Sequence, residues 1–153
     1  MISPPTSTRG QLRRTILSAI LAILVQAALG IVVNLYVTVP AHHSGARPSN
    51  YFVGSFDSVV WAIAHGATGL AIHAVLGLLL ALMVIRTAVE AVRMRGAIAA
   101  WSALAAALVV GAGFNGASFL DFGSDTSSLI MALLAFAAIG CYAIVLFLLS
   151  DDR

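Results

Sequence analysis

Four apolar stretches, residues 16–39, 58–85, 97–119 and 127–149, occupy most of the chain. A helix rises 1.5 Å per residue, so about 20 residues cross the roughly 30 Å of hydrocarbon in a bilayer, and each stretch reaches that length. Lipid offers backbone amides no hydrogen-bond partners, which leaves helix as the conformation that satisfies them within one segment. The expected fold is therefore all-α: an integral membrane, antiparallel four-helix bundle over residues 16–149, with residues 1–15 as an N-terminal tail and 150–153 as a C-terminal end. Composition agrees. The 153 residues are 61% apolar and 9% charged, against about 45–50% and about 25% in soluble domains. The first stretch is read as a retained helix, because its apolar core is about twice the 7–15 residues of a secretory signal. The polar, proline-bearing residues 1–10 before it read as a mobile tail.

Orientation follows from arginine. All eight basic residues are arginines. Arg9, Arg13 and Arg14 precede the first stretch, Arg86, Arg93 and Arg95 fill the connection between the second and third, and Arg153 ends the chain. The other two connections hold only Arg47. By the positive-inside rule both termini face the cytoplasm of a cell-membrane protein, and residues 40–57 and 120–126 lie outside. The net charge of +2 is spread over tails and turns, which argues against a nucleic-acid partner. In the cytoplasmic turn, Glu90 is spaced to pair with Arg86 and Arg93.

The second stretch carries two histidines in hydrocarbon, in "AHGATGLAIHAVLG". On a continuous helix His65, Gly69, His73 and Gly77 recur every four residues and form one stripe. Small residues let helices approach closely in a membrane, so this stripe is expected to face protein. In the first stretch Gln26, Gly30 and Asn34 have the same spacing and offer a matching polar face. Ionisable groups inside a span are costly and mark a cavity, partner or cofactor. Hydrogen bonding across a helix contact is the structural alternative for both rings.

The third stretch ends in "GAGFNGASFLDFG", where glycines and phenylalanines surround Asn115 and Asp121, a candidate floor for an outward-facing pocket. With Gln26 and Asn34 these residues form the expected pocket lining. No GxxxxGK[ST] or strand-linked glycine fingerprint is present, which sets nucleotide binding aside. Asp125, Ser127 and Ser128 read as the N-terminal cap of the fourth helix. In that helix Met131 and Tyr142 are the side chains suited to specific chemistry, and Cys141, the single cysteine, reads as a small packed hydrophobe. The adjacent His42 and His43 diverge and have no accompanying cysteine, so they are not read as a metal site.

"LVQAALGIVV" (residues 24–33), followed by an outer loop and "AHGATGLAIHAVLGLLLAL" (64–82), resembles one four-helix half of the haem A synthase family. The resemblance covers roughly residues 24–85 and thereafter the helix count. It implies a haem inside the bundle between histidines of the second and fourth helices. His65 matches the first ligand and is the expected iron ligand. The fourth helix holds no histidine, which leaves Met131, a ligand from another chain, or one axial ligand. His65 and His73 lie about 12 Å apart along a helix and cannot ligate one iron from opposite faces; His73 would then serve a propionate or a proton. The functional readings are a haem-handling or electron-transfer membrane protein, a non-catalytic accessory or assembly subunit that packs against itself or a larger complex, and an oligomeric small-solute transporter. No residue set marks it as an enzyme.

Overall fold

The computed structural model describes residues 6–150, with side chains from Arg9 onward. The ends of both expected tails, residues 1–5 and 151–153, lie outside the described residues. Five helices and no strand are present among these residues: α1 (Thr6–Tyr36), α2 (Tyr51–His65), α3 (Thr68–Val92), α4 (Gly96–Phe122) and α5 (Asp125–Ser150). Helix α1 starts ten residues before the expected span, so part of the N-terminal segment read as a tail is helical. Four helices are long and apolar enough to cross a membrane: Arg9–Tyr36 of α1, and α3, α4 and α5.

The expected single helix over residues 58–85 is two helices. Gly66 has φ −70° and ψ 164°, and Ala67 has φ −55° and ψ 145°. Both are extended, which ends one helix at His65 and starts the next at Thr68. A side chain at position 66 would collide with the carbonyl oxygen of Ala62, so glycine is what lets the chain turn this closely. The break also ends the proposed stripe. Gly69, His73 and Gly77 remain together on α3, whereas His65 belongs to α2 and is exposed.

The spanning helices pack α1 on α3, α3 on α4, α4 on α5 and α5 on α1, which closes a ring. Along α1 and α3 residue numbers run in opposite senses: Val33 and Val37 lie by Gly69, Gly30 by His73, and Gln26 by Gly77. The main core joins Leu12, Ile16, Ala19 and Ile23 of α1, Leu80 and Val84 of α3, Ala105, Ala106 and Val109 of α4, and Ala138, Cys141, Tyr142 and Val145 of α5. Cys141 is thus packed as a small hydrophobe. Alanine is frequent inside, while Leu21, Leu35, Leu82 and Phe147 are each more than 60% exposed. In water such a surface would forgo roughly 1.5–3 kcal/mol per large apolar side chain; in lipid it is the stable arrangement, with close packing of small residues holding the helices together.

Helix α2, 15 residues long, packs on α3 and α4 and with residues 37–50 forms a cap at the end of the ring where α3 begins and α4 finishes. Its polarity is inverted relative to a helix on a water-soluble protein. Gly54, Ser55, Ser58 and Ala62 are buried, and Phe52, Phe56, Val60 and Ile63 are exposed. Below it a second small core joins Val33, Ala62, Leu70 and Leu120.

Candidate functional site

Buried polar side chains gather in two places. The first is the α1–α3 crossing. Gln26 Nε2 donates to the main-chain oxygen of His73 at 2.9 Å and lies 3.3 Å from His73 Nε2. The amide nitrogen can only donate, so His73 Nε2 accepts and the ring proton sits on Nδ1. Two glycines make the approach possible: a Cβ on Gly30 would lie 3.1 Å from the His73 ring, and one on Gly77 would lie 3.0 Å from Gln26 Nε2. His73 Nδ1 and Gln26 Oε1 are buried without a protein partner. The sequence pairing of the Gln26 and His73 faces is therefore realised, but Asn34 is exposed and does not join it.

The second place is the junction between the cap and the end of α4. Asp121 is 2% exposed. Its Oδ2 accepts from Ser55 Oγ at 2.9 Å, and its main-chain oxygen accepts from the Arg47 amide at 2.9 Å. Its Oδ1, like the nearby Ser58 hydroxyl, is buried without a protein partner. The His43 ring stacks on Trp61 with centroids 4.2 Å apart and planes 19° from parallel, and its Nε2 lies 3.1 Å from the Leu120 oxygen. Tyr51 donates its hydroxyl hydrogen to the Phe114 oxygen at 3.1 Å, so Ser118 Oγ, 2.7 Å away, donates to Tyr51. Gly45, at φ +91°, fits against Gly54 and Ser58 where no side chain could. Beside the loop is a hollow of about 280 Å³ with Asn50 and Asp57 on its wall.

The remaining expected site residues are scattered. Met131 Sδ packs against Gly116 across α4 and α5, 3.2 Å from where a Cβ would stand. Asn115 donates to the Gly111 oxygen of its own helix at 2.9 Å. Of the expected lining residues, only Asp121 belongs to the cap junction. His43, Trp61, Ser55 and Tyr51 were not singled out as a group by sequence; the available signal was the two serines one turn apart within an apolar segment. Asp125 opens α5, its carboxylate in the first turn, where it complements the helix dipole. Glu90 pairs with Arg86 at 2.9 Å.

The glycine faces that could have made room for a haem ring are filled: Gly30 by His73, Gly77 by Gln26 and Gly116 by Met131. Among the described residues no group of three or more His, Cys, Asp or Glu side chains is arranged to hold a metal ion. No protein-family model, curated protein or solved structure matches the chain, so the resemblance to the haem A synthase family gains no support from relatives.

Proposed function

We propose that the chain is a non-catalytic accessory or assembly component of the cell membrane, with both termini in the cytoplasm and the cap on the outer side. The observation that carries this reading is the large apolar surface that every helix turns outward, α2 included. Leu21, Leu35, Leu82, Leu104, Phe136 and Phe147 of the ring and Phe52 and Phe56 of α2 face outward, while Ser55 and Ser58 of α2 and Ser102 of α4 are buried. Such a surface is covered by lipid or by the apolar face of another membrane protein, which includes a second copy. The orientation rests on Arg9, Arg13, Arg14, Arg86, Arg93 and Arg95 lying at one end and Arg47 alone at the other.

Cross-linking in native membranes followed by mass determination tests the role. The expected result is a defined complex that contains the chain. The haem-handling alternative uses His65 as iron ligand and is tested by absorption spectra of the purified protein with and without dithionite. A Soret band that shifts on reduction and disappears in His65→Ala would replace the accessory reading.

A further inference from the structure

We propose that His43 is a proton-operated latch that, as an imidazolium, fastens the cap to the end of α4. Both ring nitrogens face carbonyl oxygens: Nδ1 lies 2.8 Å from the Ser44 oxygen and Nε2 3.1 Å from the Leu120 oxygen. A carbonyl oxygen only accepts. Neutral imidazole has one N–H, so in either tautomer its second nitrogen would direct a lone pair at an acceptor; the cation donates at both.

Three features of the surroundings face the ring. Leu120 is in the last turn of α4, where carbonyls lack helical partners and the helix dipole is negative. The face of Trp61 lies against the ring, the geometry in which an aromatic quadrupole attracts positive charge. The charged groups of the packed elements are Asp121 on α4, buried beside Leu120, and Asp57 on α2, half-buried on the wall of the loop hollow. On the loop itself, Arg47 and His42 are exposed and oppose the cation through solvent. The two carboxylates are the more buried of these charged groups.

The consequence is directional. With the ring charged, the loop is tied to α4 through His43 and through the Arg47 amide on Asp121. When the proton leaves, one of the two ring contacts turns repulsive and the loop loosens. Docking is therefore strongest at low pH and weakens as pH rises through the titration of the ring. The shift in the docking equilibrium is expected to be about tenfold, the scale of one hydrogen bond to a charged group.

The full chain in nanodiscs with Trp101→Phe leaves Trp61 as the sole tryptophan. Its emission is measured from about pH 5 to 8, the range in which imidazole changes charge. A stacked imidazolium quenches indole, so emission should rise with pH along a one-proton curve. His43→Gln should abolish that curve and His42→Gln should keep it. A nitroxide at Ser49→Cys, in a Cys141→Ala background, should gain mobility over the same pH range. Flat Trp61 emission in the chain that retains His43 would overturn the proposal whatever the variants do. So would an unchanged curve in His43→Gln, or a nitroxide whose mobility is independent of pH.

Discussion

The α1–α3 crossing and the cap junction both bury polar groups at a helix contact, yet they are made of different materials. The crossing joins two spanning helices through an amide and an imidazole whose hydrogen bonds are all between neutral groups. The junction joins a loop and a short helix to a helix end, and it contains a carboxylate and an imidazole with two acceptors. Charge in mid-span has only the opposite helix to answer it. At a helix end, free carbonyls, loop amides and an aromatic face can all contribute. The crossing is thus suited to setting the register of two helices, and the junction to a contact that responds to conditions.

The largest effect that would sharpen this contrast is expected from Gly45→Val. It puts a branched side chain at φ +91° and against Gly54 and Ser58. We expect cap docking to lose more than about 3 kcal/mol, seen as fast amide exchange at Arg47 and Val53 while helix content by circular dichroism is retained. Loss of the whole bundle would show that the two regions are not separable. Next in size is Asp121→Leu, which leaves the Ser55 hydroxyl without its acceptor, while the Arg47 amide keeps the main-chain oxygen of residue 121. It should cost about 1–3 kcal/mol in thermal or denaturant unfolding monitored at Trp61, with Asp121→Asn costing less because an amide oxygen still accepts from Ser55.

Tyr51→Phe should be smaller, about 1 kcal/mol, because it removes two contacts from a partly exposed hydroxyl. Smallest of all should be the double variant Gln26→Leu/His73→Leu. Each single replacement strands a partner, but removing both also removes the two unpartnered atoms, His73 Nδ1 and Gln26 Oε1. Apolar replacement of a whole polar pair is often near neutral, so the melting temperature of the double variant should lie above that of either single variant. A double variant less stable than both would break the comparison and make the crossing the more demanding site.

These differences explain what the sequence made legible. The spans of α1, α4 and α5 were readable from apolar runs of membrane-crossing length, and the pairing of Gln26 with the His73 face from the matching four-residue spacing of polar and small residues on each helix. The break at Gly66 was not, since Trp61, Ala62, Ile63 and Ala64 before it and Leu70, Ala71 and Ile72 after it keep the segment apolar throughout. Hydropathy registers what surrounds a backbone, not where it turns. The assignment of His65 to the bundle failed with that continuous helix. The cap junction was out of reach for another reason: Ser55 meets Asp121 across 66 positions and His43 meets Leu120 across 77. No local pattern links residues that far apart. A buried Ser55 and Ser58 on an otherwise apolar helix were the trace it left.

Those long separations impose an order on biosynthesis. His73 can find Gln26 as soon as α3 is inserted, and the first helix pair then has its register. Helix α2 is made before α3, yet it must wait for the far end of α4, because Ser55, Tyr51 and His43 all take partners between Phe114 and Asp121. Asp121 is made about 50 residues after His73, several seconds later at ordinary elongation rates. Through that interval the nascent chain holds an amphipathic segment with Phe52 and Phe56 on one side and unpaired serines on the other. That interval is when a membrane chaperone or insertion factor would find α2 available, and a ribosome stalled before Leu120 would leave the segment permanently in that state.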